Sequence, residues 1–545
     1  MKPLLSFLSL REKIGQTLCF NQYLLKDIED VGDYFSKNPA GSMYVRGVKA
    51  IDFQKHSCVV SEDPQENFYE LIDKINASMK IPMIAAGDAE KGINTFPGHP
   101  KITSATGIGA TKSPELAYEL FNTLGKDLKS TGIGWLWSPV VDNPSPFCAV
   151  SLTRAYCADL ELFKKLAVAE IKGLQDAGIP ATLKHFPGSD KDEYRDSHFA
   201  PQNINQSFDE WFERQGCLFQ AGIDAGVDAV MISHGAFSAV DGHIEAGSYI
   251  PATLSYKIIT ELLKEKMGFK GVVITDAVEM KGLTAVYPRE KLYVELLRAG
   301  NDMLLAPELL DYVDIVERAV LSGDLPESRI DDACERILAM KEHYGFLKED
   351  YALRHHTREE RKSLVDAMTA VNKKIAPKSI TLVADRNYAL PIKDVKKVKI
   401  IYFGYDESSY ANLDAMIDRF SEYGAKADKQ KLVRDDIKTI AEEYDLIVYA
   451  SYIGPHSPHG GPAFYRQECI SLLYAMTEGR EKSVGIGIGS PYTYFDYFSS
   501  VPVYVNAYTS NPETLEAFVD VLYGKVIPEG TSPYPLNPIT GTNRV

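Results

Sequence analysis

Eight short apolar runs recur through residues 15–307, and amphipathic segments lie between most of them. The runs span 15–20, 41–46, 81–88, 133–142, 181–186, 227–235, 271–277 and 301–307. In the segment 161–178, leucines recur near helical spacing, and Gly178 and Pro180 then provide a stop signal. Strands that alternate with helices in this way predict an α/β fold, here a (β/α)8 barrel of the TIM type. A doubly wound open sheet fits the alternation almost as well, because periodicity does not show whether a sheet closes.

A second alternation of apolar runs and helical patterns begins near residue 379. Its apolar runs span 379–385, 398–404, 445–452, 483–490 and 501–508. Between the two alternations, residues 308–375 carry helical patterns and a charged stretch, HHTREERK. We therefore predict a barrel domain at 1–350, a helical linker at 351–378 and a smaller C-terminal α/β sandwich domain at 379–545.

The composition narrows the classes of function. The 545-residue chain is 45% hydrophobic, enough for a large core, and its formal net charge is -16. Because no basic tract is available to neutralise phosphates, we expect no nucleic-acid partner, and the charge also disfavours an anionic membrane surface. No apolar stretch of about 18 residues is present, which predicts no membrane span. The seven scattered cysteines lack CxxC spacing and the N-terminus lacks a cleavage site. We therefore expect neither disulfides nor zinc, and a cytoplasmic location.

Polar residues stand where most of the predicted barrel strands end. They are Asp88, Asp142, Lys184, His185, His234 and Asp276. In a (β/α)8 barrel the carboxyl ends of the strands converge on one face, where active sites lie. The alternative is that each polar residue only marks the place where the chain leaves the core. Asp276 favours the first interpretation, since GVVITDA places its carboxylate directly after an apolar run.

The loop after the fifth run, LKHFPGSDKDEYRDSHFAP at 183–201, is rich in ionisable side chains. Within it, Asp196-Ser-His198 places a carboxylate two residues before a histidine. Such a carboxylate can fix the imidazole tautomer and stabilise the imidazolium, and an imidazole suits proton transfer near neutral pH. Asp276 would then be the carboxylate that attacks an electrophilic carbon. The competing interpretation is a surface turn in which Asp196 and Ser197 cap a helix.

Several motifs, in this order, resemble those of glycoside hydrolase family 3, and within it the bacterial β-N-acetylglucosaminidases. They are LSLREKIGQTL, GDAEKG, FPGHPKITSATGIGATKSPELAYE, WSPVVD, KHFPG, DSH, PATLS and GVVITDAVEMKG. The combination of KHFPG, DSH and TDAVEM is the most specific of them. The resemblance covers residues 8–310 and extends through GSPYTYFDYFSSVPVYVNAYTSNPETLEAFVDVLYG into the C-terminal part.

The resemblance implies roles for seven residues. Asp276 matches the family's nucleophile, and Asp196 with His198 matches the dyad whose histidine is the general acid/base in the N-acetylglucosaminidase branch. The contacts to sugar hydroxyls are matched by Asp88, Arg154, Lys184 and His185. Many β-glucosidases of the family instead take a glutamate acid/base from the second domain, and the DSH motif points away from that group.

The chain departs from the family pattern at two places. It reads KHFPGSD where the family usually reads KHFPGHG, so Ser189 and Asp190 replace His and Gly, and AEKG replaces QEGG. We expect these changes to alter the path of the loop and the neighbouring subsites while leaving the dyad intact. Elsewhere, GIGIGS at 485–490 is not the dinucleotide fingerprint. His456 and His459, in GPHSPHGG, lack a nearby Asp, Glu or Cys to complete a metal site, and this loop could instead reach over the barrel.

The resemblance implies an exo-acting, retaining β-N-acetylglucosaminidase that releases terminal N-acetylglucosamine from β-linked glycosides derived from chitin or peptidoglycan. The expected substrate is a small glycoside or an oligosaccharide, and no cofactor or metal is expected. A phosphorylase acting on the same glycosides is one alternative, because a neutral histidine repels phosphate less than a carboxylate does. A β-glucosidase of the same family and a silent sugar-binding protein are the others. The sequence does not predict the oligomeric state.

Overall fold

The computed structural model describes most of the chain. The described residues are 5–56, 58, 61–144, 146–245, 247–284, 286–348, 355–386, 389–404, 407–454, 464, 466–475, 477–537 and 541. His456 and His459, weighed above as metal ligands or as part of a loop over the barrel, lie outside these residues.

The first part of the described chain is a closed barrel of parallel strands. The strands are β1 (Leu18–Asn21), β2 (Ser42–Tyr44), β3 (Ile84–Gly87), β4 (Trp135–Leu136), β5 (Thr182–Phe186), β6 (Ala229–Ile232), β7 (Val272–Thr275) and β8 (Leu304–Leu305). They pair as β8-β1-β2-β3-β4 and as β5-β6-β7. Two parallel bridges, Val140 with Lys184 and Ile274 with Met303, join these two sheets on both sides. The predicted barrel is therefore confirmed, and the open doubly wound sheet is excluded.

Helices surround the barrel strands. They are α1 (Leu10–Gln16), α2 (Val31–Lys37), α3 (Pro64–Ala77), α4 (Ala105–Thr111), α5 (Pro114–Ser130), α6 (Ala149–Leu152), α7 (Leu160–Asp176), α8 (Phe208–Trp211), α9 (Cys217–Asp224), α10 (Lys281–Thr284), α11 (Arg289–Ala299), α12 (Tyr312–Leu321) and α13 (Glu327–His343). Two π-helical segments, Phe212–Gly216 and Lys257–Lys266, complete this layer.

Local sequence explains where the two longest of the early helices begin and how they pack. Ser113 caps α5 ahead of a proline at its first position, and Asp159 caps α7 by accepting two backbone N–H groups. The two helices pack closely at Gly173, because a Cβ there would lie 2.7 Å from the carbonyl oxygen of Tyr118. Their apolar faces pack in the core of the barrel domain.

The C-terminal part is a six-stranded sheet with apolar clusters on both faces. Its strands are β9 (Thr381–Asp385), β10 (Lys397–Gly404), β11 (Lys426–Lys431), β12 (Leu446–Ile453), β13 (Ser483–Gly489) and β14 (Val503–Asn506), in the order β9-β14-β13-β12-β10-β11. The β9–β14 pair is antiparallel and the other pairs are parallel. Its helices are α14 (Arg358–Ser379), α15 (Asp414–Glu422), α16 (Ile437–Glu443), α17 (Arg466–Ala475) and α18 (Pro512–Leu522). Phe420 and Phe518 pack on one face, and Phe403 and Phe498 on the other, which makes the predicted sandwich.

Two features of the strands differ from the sequence-based prediction. Strand β11 was not predicted, because KADKQK carries no apolar run; its lysines are typical of an edge strand exposed to water. The run at 133–142 forms a strand only over Trp135–Leu136. Beyond Leu136 the segment still bonds to β5 through the carbonyls of Ser138 and Pro139 and the N–H of Val141, but Pro139 has no N–H to donate.

The C-terminal sheet attaches to the barrel beside the loop that follows β3. Asn372 of α14 donates to the carbonyl of Lys101 at 2.9 Å, and the Thr509 hydroxyl donates to the carbonyl of Ile102 at 3.2 Å. Lys91 reaches the hydroxyl of Tyr452 at 3.3 Å. These bonds place the C-terminal part next to one side of the barrel mouth.

Candidate active site

A cavity of about 230 Å³ opens at the carboxyl ends of the barrel strands. Six of the seven residues singled out from the sequence line it: Asp88, Arg154, Lys184, His185, His198 and Asp276. The seventh, Asp196, lies behind His198 and bonds to its ring. Within the described part of the chain, every side chain that lines the cavity comes from the barrel and its loops.

Asp276 follows the last residue of β7 and its backbone is fixed there. The Asp276 N–H donates to the carbonyl of Ile232 at 2.8 Å, and the Ala277 N–H donates to Asp276 Oδ1 at 2.8 Å. Removal from bulk water would by itself raise the pKa of Asp276. The histidines His185 and His234 and the Ala277 N–H outweigh that effect and hold the pKa below its ordinary value. The carboxylate is therefore ionised at neutral pH, as a nucleophile requires.

His198 and Asp196 form a hydrogen-bonded pair on the loop after β5. Asp196 Oδ1 accepts from the ring Nδ1 at 2.6 Å and from the backbone N–H of His198 at 2.9 Å. This hydrogen bond raises the pKa of His198; burial opposes it, and the charges of Asp196 and Asp276 add to it, so the net direction is upward. Because Nδ1 is engaged, Nε2 is the ring atom that can give or take a proton. The ring is 49% exposed, whereas Asp196 is only 11% exposed.

Two other carboxylates of the same loop are buried and serve its folding. Asp190 accepts the backbone N–H groups of Asp192 at 2.9 Å and Asn205 at 2.8 Å. Glu193 accepts Arg195 in a two-pronged pair, at 2.9 Å from Nε and 2.8 Å from Nη2. Asp190, one of the departures from the family pattern, thus ties the start of the loop to Asn205, which follows the short strand Asn203–Ile204. Many of the charges in this loop therefore hold it in shape, and one pair faces the cavity.

Lys184 and Arg154 share carboxylates on the opposite wall. Lys184 Nζ lies 2.6 Å from Asp88 Oδ1 and 2.6 Å from Glu90 Oε1. Arg154 grips Glu90 with two bonds, of 2.8 and 2.7 Å. Burial would raise the pKa of Glu90, but Arg154 and Lys184 hold it well below its usual range. Tyr44 donates to Asp88 at 2.9 Å, so the wall is a fixed array of charged hydrogen-bonding groups suited to hydroxyls.

His185 is oriented by Asp142, which lies at the end of the neighbouring run. The carboxylate accepts from the ring Nδ1 at 2.7 Å and from the backbone N–H of His185 at 3.0 Å. The ring therefore presents its Nε2 edge, and its proximity is the largest influence that lowers the pKa of Asp276.

Among the residues of the cavity and its support that sequence reasoning missed are Tyr44, Arg46, Glu90 and Glu279. Glu90 follows Asp88 by two positions in GDAEKG, and this spacing was the available signal for it. Arg46 and Glu279 both line the cavity and pair at 2.5 Å, and the guanidinium lies 4.6 Å from the ring centre of Tyr44. Arg46 ends the second apolar run and Glu279 lies three residues after Asp276, but no local pattern links the two.

The described residues contain neither a metal-binding cluster nor a membrane-spanning helix. No group of three or more His, Cys, Asp or Glu side chains is arranged to hold a metal ion. No helix in this part of the chain has the length and apolar character needed to cross a membrane.

Comparison with known proteins places these features in context. Residues 9–340 match the family described as "Glycosyl hydrolase family 3 N terminal domain". A β-N-acetylglucosaminidase/β-glucosidase of Cellulomonas fimi is 24% identical over 560 residues, covering 96% of this chain and 93% of the relative. A family 3 β-N-acetylglucosaminidase from Paenibacillus sp. str. FPU-7 superposes with a TM-score of 0.80 at 24% identity, covering 99% of this chain and 100% of that one.

A β-glucoside phosphorylase superposes equally well. Its TM-score is 0.81 at 23% identity, covering 98% of this chain and 95% of that one. At these identities the likenesses show a shared two-domain fold and do not distinguish between the three activities.

Proposed function

The chain belongs to glycosyl hydrolase family 3, and from this premise we propose that it is an exo-acting, retaining β-N-acetylglucosaminidase. Membership makes it a glycosidase that acts on a β-linked sugar. The observation that carries the finer proposal is the pair Asp196–His198 on the same cavity as the ionised Asp276. An acid/base and a nucleophile that face one cavity are what a double displacement needs.

In the first step the Asp276 carboxylate attacks the anomeric carbon of the bound sugar. The bond from that carbon to the leaving oxygen breaks, and His198 Nε2–H gives its proton to this oxygen. Asp196 stabilises the ring through Nδ1 during the transfer, at the observed 2.6 Å. The products of the step are the free aglycone and an ester between the sugar and Asp276.

In the second step His198, now neutral, takes a proton from water. The water oxygen bonds to the anomeric carbon from the face that the aglycone left, and the ester bond to Asp276 breaks. Two inversions give net retention, and His198 ends protonated, ready for the next turnover.

The electrostatics of the cavity favour water over phosphate as the acceptor. Within the described residues, the three cations that line the cavity are each paired: Arg46 with Glu279, Arg154 with Glu90, and Lys184 with Asp88 and Glu90. An incoming phosphate dianion would meet carboxylates that already hold these cations. Electrostatic complementarity, which governs charged ligands, is therefore absent for phosphate.

Three observations support an N-acetylglucosaminide as the substrate. A histidine of a barrel loop, His198, lines the cavity with the DSH motif of the branch that the sequence resembles, and the described part of the C-terminal domain contributes no side chain to the cavity. Two of the similar proteins carry N-acetylglucosaminidase in their names. The small cavity at the barrel mouth suits a single terminal sugar, which is why we propose exo-action.

A panel of 4-nitrophenyl β-glycosides tests this proposal. We expect kcat/KM for the N-acetylglucosaminide to exceed that for the glucoside, with free N-acetylglucosamine as product at any phosphate concentration. Faster turnover of the glucoside would move the chain to the β-glucosidases, and a sugar phosphate as the main product would make it a phosphorylase. Binding without turnover of any glycoside would leave a sugar-binding protein.

A further inference from the structure

His234 is a buried histidine beside the site that the two chemical steps above do not use. It follows β6 by two residues and is 3% exposed. Among the described residues that line the cavity it does not appear, so it is not in position to touch a sugar. Both of its ring nitrogens are nevertheless engaged, which calls for an explanation.

The ring connects two segments that are distant in sequence. Nε2 lies 2.9 Å from the carbonyl oxygen of Ala277, and Nδ1 lies 3.0 Å from the Thr253 hydroxyl. A carbonyl oxygen accepts only, so Nε2 carries the hydrogen, and in the neutral ring Nδ1 accepts from Thr253. Burial lowers the pKa of His234, consistent with this neutral form.

Thr253 itself belongs to the PATLS motif, which the catalytic steps leave without a role. It is fully buried, and its carbonyl accepts from Asn301 Nδ2 at 2.8 Å. The Thr253 backbone is thereby held in place, and its hydroxyl can donate to the Nδ1 that the bond from Nε2 to Ala277 leaves without a hydrogen.

The peptide that His234 holds directly follows the proposed nucleophile. The Ala277 carbonyl accepts from His234 and from the backbone N–H of Met280 at 3.1 Å, and the N–H of the same peptide unit, on Val278, donates to the Leu305 carbonyl at 3.1 Å. On the other side, the N–H of Asp276 is fixed by Ile232. Ala277, between these anchors, donates its own N–H to Asp276 Oδ1 at 2.8 Å.

We propose that His234, set by Thr253, is a positioning residue that fixes the backbone after Asp276 and so directs the free carboxylate oxygen at the anomeric carbon. The other groups that anchor this backbone are themselves backbone groups. His234 is therefore the residue at which a side-chain substitution can change the position of the Ala277 peptide. This role rests on the proposed function of Asp276 as the nucleophile. It predicts a loss in the attack step with little change in sugar binding.

The test compares His234→Leu, which removes the donor, with His234→Gln, whose amide nitrogen can replace Nε2–H. His234→Leu removes one of the two hydrogen bonds to the Ala277 carbonyl and leaves that of the Met280 N–H, so kcat falls by about twofold to tenfold, with KM within about twofold. His234→Gln recovers most of the loss. The rate of covalent inactivation by a 5-fluoro N-acetylglucosaminyl fluoride falls in parallel with kcat, whereas the inhibition constant of N-acetylglucosamine stays the same.

A pH profile adds a measurement that a merely structural role would not change. The acid limb of kcat/KM reports Asp276, which is faced by His185, His234, His198, Tyr44 and the Ala277 N–H. When Ala277 loosens, its N–H stabilises the carboxylate less, so the acid limb moves to higher pH in His234→Leu and also in Thr253→Val, which keeps the His234 ring. The matched control is His99→Leu, because His99 is a histidine bonded to Asp127 and Gln65 outside the cavity. In this variant neither the acid limb of kcat/KM nor kcat changes.

Wild-type inactivation rates in His234→Leu, or a His234→Gln variant no better than His234→Leu, overturn the proposal. If His234→Leu does not fold, Thr253→Val carries the test, since it leaves the ring in place and removes the hydroxyl that holds its Nδ1 edge; full activity there also refutes the role. Labelling at a residue other than Asp276 would instead contradict the proposed function itself.

Discussion

Removing the acid/base should affect sugar and aryl leaving groups very differently. We consider His198→Ala assayed on N,N′-diacetylchitobiose and on the 4-nitrophenyl N-acetylglucosaminide. A sugar alkoxide needs a proton to leave, and His198 Nε2 is the donor that the cavity offers; a nitrophenolate leaves without one. General acid catalysis is worth about 10²–10⁴-fold, so the disaccharide should lose that factor in kcat/KM while the aryl glycoside loses far less.

Asp196→Asn should give a milder form of the same defect. The 2.6 Å bond from Nδ1 to Asp196 is charge-assisted, a type worth about 1.5–3 kcal/mol, which corresponds to about tenfold to a hundredfold in rate. The same bond raises the pKa of His198, and the charge of Asp276 adds to this effect, whereas burial and the charge of Arg154 lower the pKa. The basic limb of kcat/KM, where the acid must stay protonated, therefore moves to lower pH in Asp196→Asn.

The assay has an internal rescue and a matched control. Azide attacks the glycosyl-enzyme without a base, so it should restore turnover of the aryl substrate by His198→Ala and yield the β-glycosyl azide. His243 forms a comparable pair with Glu245, at 3.3 Å, beside the short antiparallel strands Ile244–Glu245 and Ser248–Tyr249 outside the cavity. His243→Ala should leave kcat/KM for both substrates unchanged. Equal losses on both leaving groups with no azide rescue would refute the role of His198.

Three further variants probe the nucleophile, a buried acid and the loop. Asp276→Asn should lower kcat by several orders of magnitude on every substrate, with the KM of the aryl glycoside changed little. Burial raises the pKa of Glu170 to about 8, so its contribution to stability is complete below about pH 4.5 and is lost as pH rises through 8. Urea denaturation should therefore show Glu170→Gln gaining a few kcal/mol on the wild type between pH 5 and pH 8, and a constant difference would contradict the burial of this acid. Asp190→Ala strands the amides of Asp192 and Asn205 and should cost about 1–3 kcal/mol in the same assay, whereas the exposed Asp192→Ala should cost little.

The sequence predicts local features of this protein well. The alternation of runs and helices predicted the barrel, because each strand and helix must bury one face and the period shows which. The position of Asp276 after an apolar run predicted a carboxylate at the barrel mouth, and the spacing of Asp196 and His198 predicted that one could hold the other. Each of these inferences needs only neighbours along the chain.

What the sequence could not show is which distant groups meet. Lys184 reaches Asp88 across 96 positions, and Arg154 reaches Glu90 across 64, so both pairs depend on barrel closure. Arg46 and Glu279 meet across 233 positions for the same reason. Strand β11 was not predicted because its side chains are polar, and it forms a strand by pairing with β10 and not through an apolar run of its own. The sequence also could not show which charged residues of the loop at 183–201 support its fold and which face the cavity. The structure distinguishes them, because Asp190 and Glu193 are buried within the loop whereas His198 lines the cavity.

The identity of the covalent intermediate tests the central proposal most directly. Incubation with a 5-fluoro N-acetylglucosaminyl fluoride, followed by intact-mass and peptide analysis, should show one sugar per chain, carried by Asp276. The Asp276→Asn variant should remain unlabelled under the same conditions, and the 5-fluoro glucosyl reagent should label the wild type more slowly. A sugar on another residue would contradict Asp276 as the nucleophile, and faster labelling by the glucosyl reagent would contradict the N-acetylglucosaminidase assignment.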